Sequence, residues 1–202
     1  MIFVLASNNN DKLKELRAIL SGFGYDVVSQ SEAGLDLEVE ETGRIFYDNA
    51  FLKAAAAMKA TGKPAVADDS GLMVDFLDGA PGVYSKRFGG GGLDDAGRNR
   101  LLLETMAPAE HRGAKFVSSI VCVFPNGDVI SAEGTCEGTI LHASRGIGGF
   151  GYDPVFFVTE MGKSMAELTP EEKNRVSHRG NALRLFAPKL KEYLEKTGEI
   201  PC

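Results

Sequence analysis

The chain opens on Ile2-Phe3-Val4-Leu5-Ala6, five consecutive apolar residues that read as a strand with no polar face to turn toward water. Ser7-Asn8-Asn9-Asn10-Asp11 follows with turn and N-cap chemistry. Over residues 12–21, Leu13, Leu16, Ile19 and Leu20 recur at helical spacing, and Gly22 ends the run. Residues 25–29 read as a second strand. An alanine-rich helix is expected over 44–61, stopped by Gly62 and Pro64. A short strand at 65–67 then runs into a turn at Asp68-Asp69-Ser70-Gly71. Strand and helix signals that alternate in this way belong to the α/β class.

The second half is less regular. Asp78-Gly79 and Pro81-Gly82 mark turns, and Gly89 to Gly92 precedes a helix expected near 94–106. Strands at 114–124 and 129–137 flank Pro125-Asn126-Gly127-Asp128, a hairpin signature that adds an antiparallel section and makes the sheet mixed. Thr169-Pro170-Glu171-Glu172 is a capping box with proline at the first helical position. Leu183, Phe186, Leu190 and Leu194 mark the apolar face of a last helix, with a bend expected at Pro188. With 202 residues and no repeat, linker or sharp boundary, one domain with two lobes around a cleft is the expected organisation.

Composition removes several classes of function. A net charge of −6 argues against bulk binding of nucleic acid, while leaving room for a local basic pocket. No apolar run approaches the roughly 18 residues of a membrane span, and Met1 leads into the first strand with no basic leader. Cys122, Cys136 and Cys202 are odd in number and lack CxxC spacing, which disfavours a disulfide scaffold or zinc site and suits a reducing cytoplasm. Gly162-Lys163-Ser164 resembles the end of a P-loop, but Phe157 stands where its first glycine belongs. The glycine run at 146–151 lacks the helix and distant acid of a dinucleotide site, and no Gly-x-Ser-x-Gly elbow occurs.

Five places could carry chemistry. The turn at Ser7 to Lys12 opens a helix, where free N–H groups attract anions; helix capping by Asn9 or Asn10 is the plainer reading. Asp68 and Asp69 are adjacent, so in an extended chain they point apart, and one facing a cleft suits Mg²⁺; a solvated turn is the alternative. Glu38, Glu40 and Glu41 offer further carboxylates, or simply a solvated face. Phe46, Asn49, Ala50, Lys53 and Ala57 share one helical face, so Lys53 either reaches an anion or extends along the surface to water. Lys173, Arg175, His178 and Arg179, with Phe150-Gly151-Tyr152-Asp153, could bind phosphates and stack on a base; a basic helix end is the alternative. His111 and His142 have no partners that suggest catalysis.

Together these segments carry a resemblance. Ser7-Asn8-Asn9-x-x-Lys12, Glu40-Glu41-Thr42-Gly43, Phe46-x-x-Asn49-Ala50-x-x-Lys53-Ala54 and Ala67-Asp68-Asp69-Ser70-Gly71 occur in order. Gly79-Ala80-Pro81-Gly82-Val83-Tyr84-Ser85, Gly148-Gly149-Phe150-Gly151-Tyr152-Asp153-Pro154 and Ser177-His178-Arg179-Gly180 follow. In this register, from near residue 2 to about 190, the chain resembles the inosine/xanthosine triphosphate pyrophosphatases, which clear non-standard purine nucleotides. It departs at Ser7-Asn8-Asn9, where many members carry Thr-Gly-Asn. The resemblance implies a cytoplasmic homodimer with an elongated mixed sheet, flanking helices and two lobes enclosing the substrate.

The resemblance also assigns residues. Ser7, Asn8, Asn9, Asn10, Asp11, Lys12 and Lys53 would hold the triphosphate, and Ser70 would contact substrate. Glu40 and Asp69 would bind Mg²⁺, with Asp69 also the general base, and Glu41 is the alternative second carboxylate. Phe150, Gly151, Tyr152, Asp153, Lys173, His178 and Arg179 would form the nucleotide pocket, with Phe150 stacked on the base. ITP, dITP and XTP would be cleaved to monophosphate and pyrophosphate. A related enzyme acting on modified pyrimidines or methylated nucleotides, and a nucleotide sensor without turnover, are the competing readings.

Overall fold

Among the described residues, seven strands hydrogen-bond into a mixed sheet: β1 (Ile2–Leu5), β2 (Asp26–Ser29), β3 (Ala65–Val74), β4 (Gly113–Val123), β5 (Val129–Ile140), β6 (Phe156–Val158) and β7 (Lys163–Ser164). Their order is β2-β1-β3-β4-β5-β6-β7. β1 runs parallel to β2 and β3, whereas β6 is antiparallel to β5 and β7. The α-helices of the described residues are α1 (Asn10–Leu20), α2 (Phe46–Thr61), α3 (Asp95–Thr105), α4 (Pro170–Val176) and α5 (His178–Thr197). The structure is a computed structural model that describes residues 1–21 and 24–198. Gly22 and Cys202, and the side chains of Asp11 and Ile19, lie outside the described residues. Among the described residues no helix is long and apolar enough to cross a membrane.

The chain divides into two units, the first comprising residues 1–69, 118–134 and 179–202, the second residues 70–117 and 135–178. In the first, Phe3, Leu5 and Val66 pack with the inward faces of α1 and α5, and the alanines of α2 pack with Val4, Ala65 and Val121. In the second, Leu72, Leu102, Met106, Phe116, Ile140 and Phe156 form one apolar cluster.

Local sequence explains most element ends. Asn9 Oδ1 accepts from Lys12 N–H at 3.1 Å and caps α1. Gly62, at φ 65°, closes α2 in a left-handed conformation that glycine adopts without penalty. The capping box at α4 is complete: Thr169 N–H donates to Glu172 Oε2 at 2.9 Å, and Glu172 N–H to Thr169 Oγ1 at 3.2 Å. α5 runs from His178 to Thr197 with Pro188 inside it. Proline inside a helix costs about 3 kcal/mol. Burying Leu183, Phe186, Leu190 and Leu194, each at most 2 % exposed, returns about 1.5–3 kcal/mol apiece and outweighs it.

The main correction to the sequence reading concerns β3. The expected strand of 65–67 extends over ten residues to Val74, straight through Asp68, Asp69, Ser70 and Gly71. Neither aspartate is solvated; they are 7 % and 8 % exposed. Polar residues end a strand when their groups need water, and here the cationic side chains of Lys12, Lys53 and Arg179 replace it.

Cys122 and Cys136 are both buried and unpaired as disulfides. Burial pushes the Cys136 thiol up to about 12 and raises that of Cys122 well above its usual range. Neither should react with Ellman's reagent in the native protein at pH 8 within minutes, whereas both should react after denaturation. Rapid native modification at Cys122 or Cys136, mapped by mass spectrometry, would contradict this packing.

Candidate active site

Consecutive side chains on a strand point to opposite faces, and Asp68 and Asp69 accordingly meet different partners. Lys12 Nζ, from α1, lies 2.9 Å from Asp68 Oδ1, and Arg179 Nε, from α5, lies 3.2 Å from Asp68 Oδ2. Burial opposes ionisation of Asp68, but the charges of Lys12, Arg179 and Lys53 outweigh it and hold the carboxyl far below its ordinary range. Burial lowers the pKa of Lys12, with Asp68 opposing the shift. Two cations and one carboxylate leave this group a formal +1, suited to an anion.

Asp69 faces a different set. Lys53 Nζ donates to Asp69 Oδ1 at 3.1 Å and to Glu41 Oε1 at 2.8 Å, while Asn49 Nδ2 donates to Asp69 Oδ2 at 3.2 Å. Both oxygens of the carboxylate are thus oriented. Burial raises the pKa of Asp69 despite the opposing charge of Lys53, and Glu41 adds to the rise. Burial also opposes protonation of Lys53, but Asp69, Asp68 and Glu41 overcome it and raise its pKa. Two carboxylates and one lysine leave this group a formal −1.

Asn49 is fully buried, and it links this carboxylate to the loop before α2, because Gly43 N–H donates to Asn49 Oδ1 at 2.8 Å. A Cβ on Gly43 would stand 2.6 Å from that same oxygen and 2.5 Å from Asp48 Cβ. The loop and the helix therefore approach as closely as a glycine permits.

The second unit holds Phe150, Tyr152, Asp153 and Lys173. Asp153 Oδ2 accepts from Phe150 N–H at 2.9 Å and from Lys173 Nζ at 2.8 Å. That ammonium also lies 4.6 Å from the centroid of the Phe150 ring, which is 42 % exposed. Tyr152 is buried and donates its hydroxyl to Ser85 C=O at 2.8 Å. His178 is buried with its ring stacked on Phe116, centroids 4.7 Å apart. Asp153 and Lys173 brace the loop that presents Phe150.

Other expectations are redistributed. Lys173, Arg175, His178 and Arg179 meet Asp153, Met161, Phe116 and Asp68 respectively. Glu40 is exposed, and Glu41 is the carboxylate bonded to Lys53. Ser7 is half-buried, its Oγ accepting from Asn9 N–H at 3.1 Å, while Asn8, Asn9 and Asn10 are exposed. Ser70 and Gly151 are half-buried. Reading by sequence gave Asn49 no role beyond its helix face and Asp68 none beyond a place in the turn. A buried amide on the same face as Lys53 was the available sign for the first.

The fit of a divalent ion can be judged from the donors. Among the described residues no group of three or more His, Cys, Asp or Glu converges as a complete protein cage. Mg²⁺ commonly takes one or two carboxylates and completes its shell with water and substrate phosphates, so the oxygen donors Asp69 and Glu41 suit it. Lys53 Nζ, bonded to both, shows that a cation is accommodated between them.

The chain is 52 % identical over 186 residues to a dITP/XTP pyrophosphatase of Desulforamulus reducens, covering 91 % of this chain and 92 % of that protein. It is 50 % identical over 192 residues to a dITP/XTP pyrophosphatase of Pectobacterium atrosepticum, covering 93 % and 97 %. The solved HAM1 protein of Coxiella burnetii superimposes with a TM-score of 0.90 at 41 % identity, over 95 % of this chain and 99 % of that one. Residues 3–189 match the Ham1 family, and the chain belongs to it.

Proposed function

We propose that this protein hydrolyses non-standard purine nucleoside triphosphates, dITP, ITP and XTP, to the monophosphate and pyrophosphate, so that they are not built into DNA and RNA. The observation that carries this reading is the division of the two adjacent aspartates: Asp68 is neutralised by Lys12 and Arg179, while Asp69 is oriented by Lys53 and Asn49. One carboxylate holds the cations that a polyphosphate requires, and the other is aligned to act as a base.

In the proposed reaction Asp69 accepts a proton from a water whose oxygen attacks the α-phosphorus. The bond from that phosphorus to the α,β-bridging oxygen breaks, and pyrophosphate leaves with that oxygen. Lys12, Lys53 and the N-terminal turn of α1 at Ser7 to Asn10 neutralise the triphosphate, since phosphoryl transfer depends chiefly on positioning and charge. Mg²⁺ is the proposed metal, on Asp69 and Glu41, and when bound it would supply further charge neutralisation at the phosphates.

Phe150 provides the stacking face for the base, and Tyr152, Asp153, Lys173, His178 and Arg179 supply its polar surroundings. Hypoxanthine and xanthine carry a 6-oxo acceptor where adenine has an amino donor, so a buried donor rejects adenine by leaving two donors opposed. A cytoplasmic homodimer is the proposed working form.

The reading is tested by product analysis. With Mg²⁺, dITP should give dIMP and pyrophosphate in equal amounts, EDTA should abolish the reaction, and ATP should be a poor substrate. Formation of dIDP with orthophosphate, or tight binding without turnover, would overturn it.

A further inference from the structure

Helix α3 holds the main chain of Gly151 at two points. Asp95 Oδ2 accepts from Gly151 N–H at 2.7 Å, and Asn99 Nδ2 donates to Gly151 C=O at 2.9 Å. Asp95 and Asn99 are four residues apart and share one helical face. The start of that helix is itself fixed, since Asp94 Oδ1 accepts from Gly97 N–H at 2.8 Å.

Two further details mark the arrangement as more than packing. Asn99 is 5 % exposed, and its Oδ1 has no hydrogen-bond partner. A buried acceptor left unpaired is destabilising, yet the amide keeps its donor on Gly151. Gly151 has a φ of 59°, in the left-handed region that other residues adopt at a cost. The peptide group whose N–H meets Asp95 is the one that joins Gly151 to Phe150, so Asp95 grips the backbone immediately behind the Phe150 ring.

We infer that Asp95 and Asn99 are positioning residues for base selection: by fixing the Gly151 peptide groups, they set the Phe150 ring for the purine without touching the nucleotide. This rests on the proposed role of Phe150 in stacking. Asp153 braces the loop from within, through Phe150 N–H, and α3 braces it from outside. Losing the outer brace lets the ring sample other orientations, which weakens ground-state recognition of the favoured base more than the chemical step at Asp69.

The experiment compares Asp95→Ala, Asn99→Leu and Asp95→Asn with the wild type in hydrogen–deuterium exchange and in steady-state kinetics on ITP and ATP. The Asp95 side chain is 55 % exposed, so its replacement leaves the core intact even if Asn99→Leu folds poorly. Asp95→Ala should speed exchange in the 146–153 segment and lower the ITP-to-ATP ratio of kcat/KM by about tenfold, mostly through KM, with kcat for ITP within about twofold. Asp95→Asn keeps an acceptor oxygen and should restore most of the ratio. Unchanged exchange, an unchanged ratio, or an Asp95→Asn defect equal to that of Asp95→Ala would overturn the inference while leaving the proposed function standing. A wild-type enzyme that did not favour ITP would instead overturn that function, and this inference with it.

Discussion

Replacing Asp69 with asparagine is expected to lower kcat on dITP by about 10²–10⁴-fold, the usual cost of removing a general base. The substitution keeps the side-chain size but removes the proton acceptor. It also sets an amide against Lys53 and Asn49, both of which now donate to the carboxylate. The measurement is kcat across a Mg²⁺ titration. Activity that recovers at saturating metal would make Asp69 a ligand and not a base, and a kcat near that of the wild type would remove it from the reaction. Asp69→Asn should also damage kcat more than Asp68→Asn does.

Asp68→Asn is expected to show its larger effect on folding. Asp68 is buried between Lys12 and Arg179, whose own side chains are 20 % and 6 % exposed. Removing one member of a buried ion pair costs about 3–5 kcal/mol, because the remaining charges are left uncompensated. That is a large share of the 5–15 kcal/mol typical of a whole domain, so denaturant unfolding should show a clearly lowered midpoint. Asp68→Asn together with Lys12→Met should recover part of the loss, since the double change removes one of the stranded cations. A single variant as stable as the wild type would mean that water, not protein, solvates those cations.

The sequence made the α/β class and most elements legible because periodicity reports burial directly. The inward stripe of α5 at Leu183, Phe186, Leu190 and Leu194 is an example, since nothing competes with its 3.6-residue repeat. The centre of β3 was hidden for the opposite reason. Asp68-Asp69-Ser70-Gly71 has the composition of a turn, and only residues distant in the chain, Lys12, Lys53 and Arg179, make its burial tolerable. No local window contains those partners.

The same limit applied to the C-terminal basic residues. Lys173 and Arg175 lie on α4 and His178 and Arg179 on α5, and their partners Asp153, Met161, Phe116 and Asp68 are all more than ten residues away in the chain. Lys53 was open to two readings until its partners were known: a lysine on an inward face needs an anion or a route to solvent, and Glu41 with Asp69 supplies the anion. The choice of Glu41 over Glu40 depends on which residue of an irregular segment turns inward, and hydrophobic periodicity does not report that.

Gly43 bears no charge and does not have a positive φ, so neither charge nor turn geometry reserves its place for glycine. Space does. A single methyl group there would press on the carbonyl end of the Asn49 amide, whose other end aligns Asp69. Mutational tolerance at residue 43 is thereby tied to the Asp69 carboxylate through one buried amide, and a position with no side chain becomes nearly as restrictive as the residue it serves.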